Sequence, residues 1–169
     1  MQKQTPNNRE KTLQNDDFIV SKTDTKGKII YGNKTFIAIS GYLEDELLGT
    51  PHSILRHPDM PKVIFSFLWE RIKNKEEIFA YVKNLCKDGS YYWVFANVTA
   101  TLDANGLVRD YHSVRRKPSS KAFQVIPQLY SELLKAENSG GIEASKKLLN
   151  KILDEKGISY DKFILSLQQ

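Results

Sequence analysis

Three short turn sequences, each between two β-rich runs, constrain the fold of this chain more than any other feature. They are Asp-Thr-Lys-Gly at 24–27, Asp-Gly at 88–89 and Asp-Ala-Asn-Gly at 103–106. Glycine adopts the positive φ of a tight turn without strain, and Asp-Gly between β-rich runs is a strong hairpin signal. Consecutive hairpins produce an antiparallel sheet. The sequence therefore predicts an α+β fold in which short helices gather on one face of an antiparallel sheet.

The helices are predicted between the first and the second turn. Asn33 has the side chain of an N-cap and precedes an apolar segment, residues 34–40, that Gly41 ends. One or two further helical turns end at Gly49. Residues 62–72 space their apolar side chains three and four positions apart, which predicts a helix with one buried face.

The composition is that of an ordinary globular protein, with 40% hydrophobic and 27% charged residues. The net charge of +5 is spread along the chain and forms no basic stripe, so we do not expect nucleic-acid binding. The longest apolar run, residues 63–69, is too short to span a bilayer, and the N-terminus has no apolar signal core. We therefore expect a cytoplasmic protein without direct membrane insertion.

Cys86 is the only cysteine. A single cysteine excludes an intrachain disulfide, a CxxC metal motif and a CxxCH haem-attachment motif, and we interpret Cys86 as a small strand residue. The sequence also has no recognisable nucleophile–base pair, phosphate loop or metal-ligand cluster. We therefore expect that the chain is not an enzyme and has no metal site.

The chain divides into three parts by pattern. Residues 1–15 are polar and aperiodic, which predicts a flexible or weakly helical N-terminal cap. Residues 16–117 hold the predicted sheet and its helices. Residues 118–169 have amphipathic helical patterns, with a kink or restart at Pro127, a break ending at Gly141 and a last helix that Ser159 can cap. This extension is either packed on the main domain or used as a dimerisation or output surface.

Residues 51–61, which we call the His-Pro stretch, concentrate the chemistry of the chain. Two histidines, one arginine and one aspartate lie between three prolines, and the helix at 62–72 follows directly. Proline fixes its own φ and disfavours helix in the residue before it, so this segment is predicted to be stiff and mostly non-helical. A rigid basic segment at the start of a helix, whose free amides attract negative charge, can bind an anion or a cofactor.

The stretch also resembles a known signature. Residues 55–61, Leu-Arg-His-Pro-Asp-Met-Pro, look like the signature of the FAD-binding PAS domains of aerotaxis receptors, the Aer type. The family pattern continues in order through 16–117 with Asn33, Ser40-Gly41-Tyr42, Glu46-Leu47, Gly49, Pro51-His52, Trp69, Val82-Lys83-Asn84, Lys87, Gly89 and Tyr92-Trp93-Val94. The resemblance implies a PAS fold, with five strands and the two terminal strand blocks paired in the middle of the sheet.

The resemblance implies a set of residues at or beside FAD. These are Arg56, His57, Asp59, His52, Trp69 and Asn84, with Asn33 as a weaker member. An arginine fork suits phosphate oxygens, a tryptophan can stack on an aromatic ring, and an asparagine amide can both donate to and accept from a flavin edge. Structural alternatives stay open for three of them: Asp59 and Asn33 as helix caps, and Trp69 as a core residue.

Two departures from the family pattern bear on function. Ile78 and Ala80 stand where similar domains often carry Trp and Gly, and Leu85-Cys86 replaces a pair that is often basic, so we expect a different ring environment. Residues 118–169 predict neither a transmembrane anchor nor a long signalling coiled coil, so we expect a free-standing sensor. The chain thus resembles the free-standing, CetB-type sensors of energy taxis. That resemblance implies a homodimer that signals to a separate membrane-bound chemotaxis transducer and is recruited to the inner membrane through it.

Two alternative functions remain open from the sequence. PAS domains can bind haem through a histidine in this region, so His57 or His52 could be the axial ligand of a haem gas sensor. The domain could also act without a cofactor, as an interaction module. We expect His112, which is isolated on the last strand, to be structural.

Overall fold

The structure, a computed structural model, describes residues 4–169 of the chain. In chain order, the elements are β1 (Ile19–Thr23), β2 (Ile29–Gly32), α1 (Lys34–Ser40), α2 (Glu44–Leu47), a 3₁₀ helix (His52–Leu55), α3 (Lys62–Lys73), β3 (Ile78–Leu85), β4 (Tyr91–Leu102), β5 (Val108–Arg116), α4 (Ser120–Lys156) and α5 (Tyr160–Leu167).

The five strands form one antiparallel sheet in the order β2-β1-β5-β4-β3. The first and the last strand are neighbours in the middle, as the family resemblance implies. The three turn glycines, Gly27, Gly89 and Gly106, have φ of 81°, 82° and 76°. The predicted hairpin turns and the predicted fold class are therefore confirmed.

Local sequence signals locate the helix ends correctly. The Asn33 side chain accepts a hydrogen bond from the Phe36 amide at the start of α1, and Gly41 ends the helix with φ 74°. The helix α3 begins at residue 62, as its apolar spacing predicts. The His-Pro stretch is less extended than predicted, because its first part forms the 3₁₀ helix.

The two faces of β4 contact different layers. Ala96 and Val98 face a cavity beneath α3. On the opposite face, the Trp93 ring lies 6.2 Å from the Phe123 ring and 6.0 Å from the Tyr130 ring, both of α4. Of the two alternatives for the extension, the structure shows packing on the main domain.

The C-terminal helices also cover the open edge of β3. The hydroxyl of Tyr130 donates to the Tyr81 carbonyl at 2.7 Å, and that of Tyr160 to the Phe79 carbonyl at 2.9 Å. An unpaired strand edge can pair with another chain, so these hydrogen bonds protect β3 from aggregation.

The helix α4 continues through Pro127, where a kink is predicted, and breaks at Gly141 with φ 74° and ψ −174°.

The same extension contacts α3, which follows the His-Pro stretch and packs on β3 and β4. The Tyr160 ring packs edge-on against Phe67 at 4.8 Å. Beside it, Arg71 donates to the Asp161 carboxylate at 3.1 Å. The C-terminal helices therefore connect the outer face of the sheet to a helix that lies on its inner face.

The N-terminal segment differs from its prediction. The sequence predicts a flexible or helical cap over residues 1–15, of which the first three lie outside the described residues. The rest is extended along the start of β4, where the Lys11 amide donates to the Tyr91 carbonyl at 2.7 Å and Leu13 is buried. A partner so distant in sequence leaves no local pattern.

None of the helices within residues 4–169 is long and apolar enough to cross a membrane.

Candidate functional site

A cavity of about 390 Å³ lies between the inner face of the sheet, α3 and the His-Pro stretch. Its size is within the range of small-molecule sites. Four of the predicted residues line it: His52, Arg56, Trp69 and Asn84. Three predicted residues, His57, Asp59 and Asn33, are not among the side chains that line the cavity.

Arg56 and Asn84 lie side by side because their backbones form an antiparallel bridge between the His-Pro stretch and β3. The Arg56 guanidinium lies 4.0 Å from the centre of the Phe65 ring. Its Nε and the Asn84 Nδ2 are both buried and have no hydrogen-bond partner. Burial lowers the pKa of Arg56, but arginine stays cationic at neutral pH. The pair thus presents one cation and two unpaired donors.

His52 is a neutral group in this cavity. Its ring stacks on Phe36, with ring centres 6.0 Å apart, and its Nε2 lies 3.4 Å from the Ser21 hydroxyl. Burial, together with the positive charges of Arg115 and Arg56, lowers the pKa of His52 to about 3. At neutral pH the imidazole can therefore both donate and accept one hydrogen bond.

Trp69 forms part of an aromatic wall. Its ring meets Tyr111 edge-on at 5.5 Å. A β-carbon added at Gly27 would lie 3.1 Å from the indole ring. The first hairpin turn therefore requires glycine at position 27 for two reasons: its φ is positive, and the Trp69 ring leaves no room for a side chain.

Arg115 is a site residue that sequence analysis missed. The side chain lines the cavity, is 2% exposed, donates to the Ser21 hydroxyl and lies 4.9 Å from the Phe36 ring centre. The basic run at 115–117 is easily taken for a solvated strand end. Strand alternation was the available signal, because Tyr111, Ser113 and Arg115 share one face of β5 and all line the cavity. His112, expected to be structural, also lies at the cavity.

Asp59 and Met60 connect the His-Pro stretch to β3, and His57 bonds to Asp59 within the stretch. His57 is 4% exposed, and its Nδ1 accepts a hydrogen bond from the Asp59 amide at 3.1 Å. The Asp59 carboxylate binds Lys83 Nζ at 2.7 Å, and the Lys83 amide donates to the Met60 sulfur at 3.2 Å. These contacts hold the backbone that presents Arg56. Direct contact of His57 and Asp59 with FAD stays a prediction.

Asn33 has a structural use for each of its side-chain groups. Its Oδ1 accepts from the amides of Val20 and Phe36, and its Nδ2 donates to the Phe18 carbonyl at 2.8 Å. The helix-cap interpretation of Asn33 is confirmed. Its role as a ligand stays a prediction without a contact to support it.

The start of α3 does not offer the free amides that the sequence predicts for an anion. The Glu137 carboxylate of α4 accepts from the Lys62 amide at 2.9 Å and from the Val63 amide at 3.1 Å. This prediction was wrong, because the capping group comes from a distant helix. For the same reason Asp59 does not cap α3, whose N-cap position is Pro61.

Cys86 lies just after β3 and does not line the cavity. Its thiol donates to the Ile39 carbonyl at 3.2 Å, and burial raises its pKa. Within residues 4–169, no three His, Cys, Asp or Glu side chains are grouped so as to hold a metal ion.

The sequence profile of the PAS fold matches residues 29–115, from β2 to the end of β5. The chain belongs to the PAS family. Among curated proteins, it is 36% identical to the aerotaxis receptor of Escherichia coli K12 over 145 residues, which are 86% of this chain and 27% of the receptor. It is 27% identical to the nitrogen fixation regulatory protein of Klebsiella oxytoca over 97 residues, 57% of this chain and 20% of that protein.

Solved structures show the same PAS fold. A light-oxygen-voltage domain, studied with a flavin analogue, matches with a TM-score of 0.57 at 24% identity, over 66% of this chain and 83% of that one. A PAS domain from Colwellia psychrerythraea matches with a TM-score of 0.55 at 23% identity, over 59% of this chain and 85% of that one. The chain is thus a PAS domain related to a segment of the aerotaxis receptor, of whose length it spans about a quarter, 27%.

Proposed function

We propose that this PAS domain is a redox sensor that binds FAD in the cavity beneath α3 and signals to a chemotaxis transducer on a separate chain. The observation that carries the proposal is the charge of the cavity. Its charged lining residues are Lys26, Arg56 and Arg115, all cationic, and no aspartate or glutamate of the described chain lines it. The ligand should therefore be anionic or rich in hydrogen-bond acceptors.

Unpaired donors support the same conclusion. Arg56 Nε, Asn84 Nδ2 and two nitrogens of Arg115 are buried without partners. A buried donor without a partner costs about 1–3 kcal/mol, and a ligand acceptor removes that cost. FAD has acceptors along its ring edge and ribityl chain and carries an anionic pyrophosphate. Its apolar ring suits the wall made by Trp69 and Phe65.

The residues divide among the parts of this ligand by their chemistry. Arg56 suits a phosphate or another anionic oxygen, and Asn84 suits an edge that both donates and accepts. His52, neutral at pH 7, can bond a hydroxyl without adding charge. Bound FAD would supply reversible electron exchange, while the protein orients it and excludes water.

Two similarities support a flavin over other anionic ligands. The His-Pro stretch resembles the signature of FAD-binding PAS domains, and four residues implied by that resemblance line one cavity. The matching light-oxygen-voltage structure was studied with a flavin analogue. The similarity to the aerotaxis receptor supports FAD as the flavin and a taxis response as the output.

The C-terminal helices support a route from the cavity to a partner. They contact α3 at both ends, through Glu137 at its start and through Asp161 near its end. Because α3 lines the cavity, a change in ligand state that shifts α3 would also bias α4 and α5. We propose that these helices form the output surface of a cytoplasmic homodimer, which reaches the inner membrane through its transducer.

Titration of the purified apoprotein with FAD, FMN and haemin tests the proposal. The proposal predicts one FAD bound per chain, with quenched flavin fluorescence, and weaker binding of FMN because it lacks the pyrophosphate and the adenine. Haem is the second candidate, because the neutral imidazole of His52 lies at the cavity. Binding of haemin with a Soret shift, and no binding of FAD, would replace the flavin with haem.

A further inference from the structure

Arg115 is the most deeply buried cation of the cavity wall, with 2% of the residue exposed. Lys26 is exposed and Arg56 is partly exposed. A charge that water cannot reach acts on its neighbours at a lower effective dielectric constant. Among the charged residues of the cavity wall, Arg115 should therefore have the strongest electrostatic interaction with a bound ligand.

The protein provides little to balance this charge. The hydrogen-bond partner of Arg115 is the neutral Ser21 hydroxyl, and its guanidinium lies over the Phe36 ring. Its Nε and Nη1 are buried without partners. No carboxylate within residues 4–169 forms an ion pair with it. A buried cation left in this state is costly unless a ligand supplies the missing acceptors.

The neighbouring His52 adds no positive charge to that of Arg115. His52 contacts the same Ser21 hydroxyl and stays neutral at physiological pH, because its pKa is about 3. The cluster of Arg115, Ser21 and His52 therefore carries one positive charge, on the guanidinium alone. A ligand acceptor at this point would meet two unpartnered nitrogens of a fixed cation, Nε and Nη1.

We propose that Arg115 is a cofactor-binding residue whose charge makes the cavity bind the reduced, anionic flavin ring more tightly than the oxidised, neutral ring. The inference rests on the proposed function, because it assumes a flavin in the cavity. A neutral ring that takes two electrons from a reductant and one proton from solvent carries one negative charge. A positive charge beside the ring stabilises that form and raises its reduction potential.

The test is a dye-coupled dithionite titration of FAD bound to the full chain. We expect the wild-type protein to bind reduced FAD more tightly than oxidised FAD, so that bound FAD has a higher potential than free FAD. In Arg115→Met this preference should fall at least tenfold, which lowers the two-electron potential by about 30 mV. Arg115→Lys, which keeps the charge, should retain more of the preference. Arg109→Met, which removes an exposed arginine of the same strand that does not line the cavity, should behave as the wild type.

The outcomes separate this inference from the proposed function. If the wild type binds FAD but Arg115→Met has the same potential, the inference is overturned and the proposed function stands. If the wild type binds no FAD, both are overturned. If Arg115→Met does not fold, the inference is tested by the wild-type dissociation constants for oxidised and reduced FAD. Equal constants would overturn the role of Arg115, and tighter binding of reduced FAD would support it.

Discussion

Arg56 and Asn84 form an antiparallel backbone bridge, and each presents an unpaired buried donor to the same cavity. The bridge joins the His-Pro stretch to the edge strand β3, so the position of one donor fixes the position of the other. Residues that are far apart in sequence thus form one binding surface. The stiff, proline-bounded segment makes this geometry available before any ligand binds.

Replacing Arg56 with alanine should greatly weaken FAD binding and leave the domain folded. A charge-assisted hydrogen bond contributes about 1.5–3 kcal/mol, so we expect a loss of affinity of roughly 10–100-fold. Fluorescence titration measures the affinity, and circular dichroism checks the fold. Arg109→Ala, which removes an exposed arginine outside the cavity, is the matched control. Normal flavin content in Arg56→Ala would show that Arg56 does not bind the ligand.

Asn84→Leu should separate binding from stability. The substitution removes a buried donor that has no partner, so the free energy of unfolding of the apoprotein should stay the same or rise by about 1 kcal/mol. FAD affinity should fall by roughly tenfold, because the ring edge loses its partner. Urea unfolding and FAD titration measure the two effects. The control is Asn97→Leu on the outer face of β4, which should keep FAD affinity unchanged.

Glu137→Gln tests the connection between α4 and α3. The carboxylate accepts two amide hydrogen bonds at the start of α3, where the helix dipole favours negative charge. We expect a loss of about 1 kcal/mol in the free energy of unfolding and faster hydrogen exchange at the amides of Lys62 and Val63. Glu143→Gln, an exposed position on the same helix, is the control. Unchanged exchange at both amides would show that Glu137 does not hold α3.

The pKa of His52 predicts a pH dependence of the apoprotein. It is about 3 in the folded state, against an ordinary value of 6.5. Between these values the unfolded chain binds a proton that the folded chain does not, so the free energy of unfolding falls as the pH falls from 6.5 toward 3. One such proton contributes up to about 1.4 kcal/mol per pH unit. Urea unfolding of His52→Gln should show a shallower slope than the wild type. An identical slope in both proteins would mean that His52 is not buried as a neutral group.

Local signals in the sequence predict most of the fold. The hairpin turns depend on glycines such as Gly27, and the start and end of α1 depend on Asn33 and Gly41, all of which act within a few residues. The His-Pro motif likewise leads to the cavity, because His52 and Arg56 lie inside it and point to a binding function.

What the sequence does not predict depends on contacts between distant segments. Glu137 occupies the amides at the start of α3 from a helix near the other end of the chain. The hydrogen bond between the Lys11 amide and the Tyr91 carbonyl also joins distant segments, and nothing in the polar residues 1–15 indicates a strand partner. Arg115 was overlooked because a basic run at a strand end normally lies in solvent. Alternation along β5 places this arginine on the same face as Tyr111, and the tertiary structure shows that this face lines the cavity.

The absorption spectrum of the purified protein, as isolated and after dithionite, tests flavin binding directly. We expect two flavin bands that bleach on reduction and return in air, with acid release giving FAD. A Soret band would contradict flavin binding and indicate haem, with His52 as the ligand at the cavity. A featureless spectrum that stays featureless after incubation with FAD would also contradict it and would leave an interaction module without a cofactor.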